Sequence, residues 1–231
     1  METIETLSLM LGSAWAAGIN LYATVFILGY LSSTGAAVLP PSLAVLSDPL
    51  VMTIAGFMFV VEFFADKTPG VDTGWDLLHT FIRIPAGAVM AAGMAQGFEV
   101  GPAAEFAALL IGGGVAAGSH FTKAGSRVLI NSSPEPFSNW TASITEDIAV
   151  IAGLWTALYH PVLFLALLVL FILLAAWLLP RIWRGIKRLF RAIGQFFSGN
   201  SSSEGNATET PPPQPKSRRE RLKELYNDSE H

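Results

Sequence analysis

The sequence predicts an all-α polytopic membrane protein of about six transmembrane helices, and three observations predict it. Hydrophobic residues make up 52% of the 231-residue chain and charged residues only 14%, at a mean hydropathy of +0.48, whereas roughly 25% of residues are charged in a soluble domain. The apolar residues gather in runs too long for core strands. Once spans are drawn through those runs, every Lys and Arg falls on one side. The length leaves room for one membrane domain, residues 1–180, and a small appendage. The absence of cysteine excludes disulfides, thiol nucleophiles and Cys-based zinc or iron–sulfur sites.

The first span is expected over Leu7 to Leu31, with Asn20 its only strong polar group; the preceding residues lack the basic region of a cleaved signal, so the run is retained. An amide in lipid needs a partner on another helix, and Gly18 beside it permits close backbone approach. Asn20 is read either as an interhelical structural bond or as a ligand of a central site. Pro40-Pro41 and Asp48-Pro49 bracket a loop, and a second span runs from Leu50 to Ala65. The third is expected from Trp75 to Gln96, with Asp76, His79, Thr80 and Arg83 on one helical stripe. Arg83 lies too deep to face lipid and demands a carboxylate partner, for which Asp147 or Glu146 is the expected choice.

The fourth span, Ala103 to Ser119, leads into His120, Lys123 and Arg127, and a loop from Asn131 to Asn139 holds Glu135 between two prolines. The fifth carries Glu146 and Asp147 near its start and ends near Tyr159; the sixth, Val162 to Leu179, is uniformly apolar and should face lipid. Gly93-x-x-x-Gly97 and Gly114-x-x-x-Gly118 carry packing weight only. Residues 181–197 then read as a separate interfacial helix, with Arg181, Arg184, Lys187, Arg188 and Arg191 on one face and apolar residues on the other. Each base adds about 1 kcal/mol of attraction to anionic inner-leaflet lipid. Residues 198–231 have the composition of a disordered cytoplasmic tail. By the positive-inside rule both termini and both polar stretches, 62–83 and 119–147, face the cytoplasm.

Those two stretches are read as halves of one site. Glu62, Asp66, Lys67, Asp72, Asp76, His79 and Arg83 come from the first, and His120, Lys123, Arg127, Glu135, Asn139, Glu146 and Asp147 from the second. Acids outnumber bases in the set, so a cation is mildly favoured over an anion. Glu62 and Asp66 share a helix face, and Glu146 or Asp147 could complete a hard oxygen site of the kind Mg²⁺ or Mn²⁺ takes; equally, the acids could only pair with Arg and Lys. Both stretches re-enter at a tryptophan followed five residues later by threonine (Trp75/Thr80, Trp140/Thr145), so paired helical-hairpin repeats stay open.

Gly18-Ile-Asn-Leu-Tyr22, Asp66-Lys-Thr-Pro-Gly-Val-Asp72, Trp75-Asp-Leu-Leu-His-Thr80 and Ser132-Ser-Pro-Glu-Pro-Phe-Ser-Asn139 carry a resemblance. On these motifs the chain resembles a family of bacterial membrane proteins, the domain of unknown function four-one-two-six, over roughly residues 12 to 155. The sixth span, basic helix and tail lie outside that resemblance. It implies a bacterial inner-membrane protein and nothing about chemistry.

The function expected is a small secondary transporter or ion-conducting protein, because intramembrane ionisable groups are costly and are kept for transport, proton relay or binding. One alternative is a membrane-embedded enzyme on a lipid or lipid-linked substrate, using His79 or His120 near Arg83, Lys123 and Arg127. A scaffold that recruits a cytoplasmic partner through its tail is the other. Expected partners are membrane lipids and a small ion or metabolite, with no nucleic acid and no cofactor; a homo-oligomer stays open.

Overall fold

A computed structural model describes residues 3–199 except 69, 99–100 and 132–135. Glu135 and the expected tail from residue 200 onward therefore lie outside the described residues. The chain divides into two units, Met1–Arg188 and Leu189–His231. The described part is all helical: α1 (Thr3–Ile19), α2 (Leu21–Ser33), α3 (Pro49–Ala65), α4 (Val71–Ala95), α5 (Pro102–Ile130), α6 (Pro136–Tyr159) and α7 (Pro161–Gly199), with 3-10 turns at Pro41–Ser47 and Gln96–Phe98.

Three stretches among the described residues are long and apolar enough to cross a membrane: Val71–Phe98, Pro102–Ile130 and Pro161–Arg188. A fourth arises if Pro41–Ser47 and Pro49–Ala65, bent by 64°, count as one broken span. The chain is thus a membrane protein of apolar helices. The expected first span is not one helix, because Asn20 leaves the helical region (φ −145°, ψ 98°) and its side-chain Oδ1 accepts a hydrogen bond from the Ala23 amide. An amide that bonds its own backbone competes with the helix ladder and caps the next helix instead.

The other boundaries shift for local reasons. Asp48 caps α3 through Leu50 N at 2.8 Å, and Pro49 sits at the first helical position, where it displaces no bond. The bracket expected as a plain loop contains a 3-10 turn that buries Leu43 and Leu46. Helix α5 does not stop near Ser119 but continues to Ile130, carrying His120, Lys123 and Arg127 on its buried side. The expected sixth span and basic helix form one helix that passes through Pro180, with Ile182 buried against Gly125.

Helices α1, α4 and α5 form the centre. Gly18 lets α1 lie directly against α5: a Cβ there would overlap Ser119 Oγ and the Ala116 carbonyl. Gly87 on α4 and Gly112 on α5 likewise face Ala116 and Ala91 with no room for a methyl. Helix α7 reaches α1 by edge-on aromatic contacts, Phe164 and Phe171 standing 6.1 and 6.0 Å from Trp15. The distribution is inside-out for water and right for lipid: α3 buries only Ala55 and Glu62, while Phe57, Val60 and Phe64 point outward.

Candidate functional site: a buried carboxylate ring around Lys123

The stripe on α4 folds as its spacing demands, burying Asp72, Asp76, His79 and Arg83 together. Opposite it, α5 buries Ser119, His120, Lys123 and Arg127, again at steps of one turn or less. Helix α3 contributes Glu62 and, just past its end, Asp66. Six carboxylates (Glu62, Asp66, Asp72, Asp76, Glu146, Asp147) meet four bases (Lys67, Arg83, Lys123, Arg127), so as ionised groups they leave an excess of two negative charges.

The Lys123 ammonium stands at the centre. It lies 2.6 Å from Asp66 Oδ2, 3.4 Å from Glu62 Oε1, and 3.8 Å from both Asp76 Oδ1 and Glu146 Oε2. It also donates to the carbonyl of Ile19 at 3.1 Å, the last residue of α1 before the Asn20 break. That carbonyl belongs to the negative end of a helix dipole. A discontinuous helix that turns its carbonyl end onto a cation is a device by which transporters build ion sites at membrane depth.

The flanking cations are tightly held. Arg83 donates to Asp76 Oδ1 at 2.7 Å and to Glu62, so its carboxylate partners are Glu62 and Asp76, not the Asp147 or Glu146 expected from sequence. The reason is register: Glu62 meets Arg83 directly, whereas α6 delivers Glu146 one level away to Arg127, in a fork at 3.3 and 2.5 Å. Arg127 further donates to the Asp66 carbonyl (3.0 Å) and to Asn139, which is itself buried. Asp147 accepts from Asn20 Nδ2 at 3.1 Å.

The two histidines are locked by neighbours. His79 Nδ1 lies 2.8 Å from the Trp75 carbonyl, an acceptor only, so Nδ1 carries a hydrogen and Nε2 receives the Tyr22 hydroxyl at 3.1 Å. The ring stacks on Trp75 at 4.4 Å. His120 is fully buried, with Nε2 2.7 Å from Thr80 Oγ1 and Nδ1 3.5 Å from Arg83 Nη1. Lys67 donates to the Phe63 carbonyl and to Ser143 Oγ at 3.1 and 3.2 Å. Burial pulls its ammonium below the usual lysine range, against the attraction of Asp147 and Asp66.

A family model described as Domain of unknown function (DUF4126) matches residues 7–181. The chain belongs to this family. The matched range is wider than the 12 to 155 read from motifs and takes in all of α6 and α7 as far as Arg181, so every residue of the charged cluster lies within the DUF4126 domain. Among the basic residues of α7 only Arg181 falls inside it. Neither the curated proteins nor the solved structures hold a match to the chain.

The structure brings together Asn20, Glu62, Asp66, Lys67, Asp72, Asp76, His79, Arg83, His120, Lys123, Arg127, Asn139, Glu146 and Asp147. It does not arrange the acids as the hard oxygen site for Mg²⁺ or Mn²⁺: no group of three or more His, Asp or Glu among the described residues suits a metal ion. The physical reason is that Lys123 and Arg83 occupy the positions between the acids. Sequence reasoning missed Asn131, whose Nδ2 donates to both Asp72 oxygens at 2.7 and 2.8 Å, and Tyr22 and Ser143. The signal for Asn131 was its place at the end of α5, level with Asp72 at the start of α4.

Proposed function

We propose that this protein is a small cation- or proton-linked membrane transporter whose central site is the carboxylate ring around Lys123. One observation carries the reading. A lysine ammonium occupies, inside an apolar helix bundle, the place a transported cation would take: four carboxylates within 3.8 Å or less and a helix-end carbonyl at 3.1 Å. Glu62 Oε2, Asp66 Oδ1 and Asp76 Oδ2 are buried without a hydrogen-bond partner. A surplus of buried carboxylate oxygens is expensive unless protons or cations visit them. Lys123 then acts as a tethered competitor that leaves when the ion arrives.

The same reading takes six crossings, with α1 and α2 as one broken span, and both termini in the cytoplasm of a bacterial cell. Arg181, Arg184, Lys187, Arg188 and Arg191 then meet the anionic inner leaflet. The lipid-enzyme alternative draws less support, because His79 and His120 already have their ring nitrogens engaged. The test uses purified full-length protein in proteoliposomes with an interior pH-sensitive dye and imposed H⁺, Na⁺ or K⁺ gradients. Wild type should carry flux that Glu62→Gln abolishes; absence of flux under every gradient overturns the reading.

A further inference from the structure

A groove of about 780 Å³ opens between α4, α5 and α7, walled by Leu77 and Thr80, by Phe121 and Ala124, and by Ile182 and Trp183. Leu77 and Trp183 are more than half exposed, so the groove faces the surroundings of the bundle and not its charged interior. It also has a direction. Thr73 to Thr80 on α4, and Ile186 back to Leu179 on α7, line it over about 10 Å of helix, and Thr73 and Val128 lie close to the ends of α4 and α5. One end therefore sits at the helix termini, and the other two turns deeper between the spans.

The two hydroxyls among its lining residues are already engaged. Thr73 Oγ1 donates to Asp72 Oδ1 at 3.3 Å and accepts from Asn131 Nδ2 at 2.9 Å, while Thr80 Oγ1 donates to the Asp76 carbonyl at 3.0 Å and stands 2.7 Å from His120 Nε2. The trough thus suits an apolar chain. Its shallow end is different, because two bases of α7 lie on lining residues there. Lys187 Nζ stands over the Trp183 ring, 5.3 Å from its centroid, and Arg184 Nε donates to the Pro180 carbonyl at 3.2 Å. Arg181 lies instead over Trp177, which does not line the groove. Asp72, the acid beside Thr73, is fully buried with both oxygens held by Asn131 Nδ2, whereas Arg184, Lys187 and Arg188 are exposed.

We propose that this groove holds one acyl chain of an anionic phospholipid, whose headgroup phosphate is met by Lys187 and Arg184. The recognition is divided along the groove: apolar walls at depth take the chain, and an ammonium and a guanidinium at the mouth, on long apolar stems that reach headgroup level, take the charge. A neutral lipid would fill the trough without using the bases. The chain's own residues 198–217 are rich in Ser, Gly, Pro, Glu and Asn and have no apolar run to lay in it. The inference goes beyond the transport reading and needs only that the bundle lies in a membrane.

The test is photolabelling of the full-length protein in phosphatidylcholine nanodiscs that carry a trace of either phosphatidylglycerol or phosphatidylcholine with a diazirine on one acyl chain, the labelled residues being mapped by mass spectrometry. In wild type, Leu77, Phe121 and Trp183 should be labelled preferentially by the anionic probe, and plain phosphatidylglycerol should compete. A base near anionic lipid is worth about 1 kcal/mol, or about fivefold. Lys187→Gln should therefore cut the anionic preference about fivefold, and Lys187→Gln with Arg184→Gln should remove it. Arg181→Gln takes the same charge from beside Trp177 and should cost less than about twofold. Ala124→Phe fills the trough and leaves the bases in place; groove labelling by both probes should fall, while labelling of Val169, on the exposed face of α7, persists. Equal labelling by the two probes overturns the proposal, since ordinary boundary lipid would then suffice. Equal losses from Arg181→Gln and Lys187→Gln overturn it too, in favour of a diffuse surface field, as does a groove closed to both probes by a second copy. Should Ala124→Phe fail to fold, the variants of the exposed Lys187 and Arg184 decide alone. Ion flux without anionic preference sinks this inference and leaves the transport reading intact; preference without flux does the reverse.

Discussion

Helices α4 and α5 pack along their whole length, yet their two ends are held by opposite means. At one end, residues 71–83 and 119–131, the contact is charge: Arg83, Lys123, Arg127 and their carboxylates, with Asn131 clamping Asp72. At the other, residues 87–95 and 108–116, it is shape: Gly87, Ala88 and Ala91 against Ala108, Gly112 and Ala116, with the backbones too close for a single added methyl at either glycine. Shape is the cheaper way to join helices in lipid, since small residues let backbones meet at no desolvation cost. Ion pairs are not: a buried pair roughly breaks even against well-packed apolar groups, though breaking one side of it is costly. A pair of helices that could have been closed by alanine and glycine throughout is instead charged over half its length, and that contrast is the energetic ground of the transport proposal.

The largest expected effect breaks the charged end. Arg83→Leu leaves the buried Glu62 and Asp76 with Lys123 alone as a cation, shared with Asp66, and should cost about 3 to 5 kcal/mol, seen as a lower melting temperature in detergent. Adding Glu62→Gln should restore much of it, because one carboxylate fewer is left uncompensated. Ion flux should stay absent in the double variant. If the two losses simply add, Arg83 and Glu62 do not act as a pair.

Next in size is the small-residue end. Gly112→Val places side-chain atoms where Ala91 Cβ already stands, and overpacking of this kind costs about 1 to 3 kcal/mol. Adding Ala91→Gly should recover part of the loss, which a differential melting series would detect. A Gly112→Val protein with the wild-type melting temperature would mean that the helices are not this close.

How much of this contrast could be read from the chain differs by kind of interaction. The α4 stripe was legible because helical period alone puts Asp76, His79 and Arg83 together, and the acid surplus was legible from a count. The identity of Arg83's partner was not, since a carboxylate from α3 and one from α6 satisfy the same sequence argument and only packing register decides between them. The break at Asn20 was hidden by the apolar residues on both sides, which keep any hydropathy window high across it. The shape of the other end was legible only in part: of the two small-residue spacings, Gly93 and Gly97 meet Leu43 and Thr6, whereas Gly114 and Gly118 meet nothing among the described residues, and it is Gly87 and Gly112, outside either motif, that press α4 against α5.

A smaller effect should come from the junction of the two regimes. Asn20→Ala removes the cap of α2 and the hydrogen bond to Asp147 Oδ1, for a loss of about 1 to 2 kcal/mol. Asn20→Asp keeps the cap and loses the amide donor, so a flux defect there, at near-normal stability, would tie Asn20 to the site and not only to the helix break.

The smallest effect sharpens the comparison most directly. Gly114→Ala and Gly118→Ala add a methyl where none of the described residues stands within 4 Å, so no steric term from them opposes the change. Alanine is better than glycine inside a helix by up to about 1 kcal/mol. Both variants should therefore melt at or slightly above the wild-type temperature, while Gly87→Ala, about one turn from Arg83 and facing Ala116 Cβ, should melt below it. Four residues of spacing mean nothing by themselves; what matters is which face of α5 turns toward α4. Should Gly114→Ala or Gly118→Ala destabilise the protein as much as Gly87→Ala, that face would have to be buried by something beyond the described residues, and cross-linking in the membrane would tell a second copy packed along α5 from another part of the same chain.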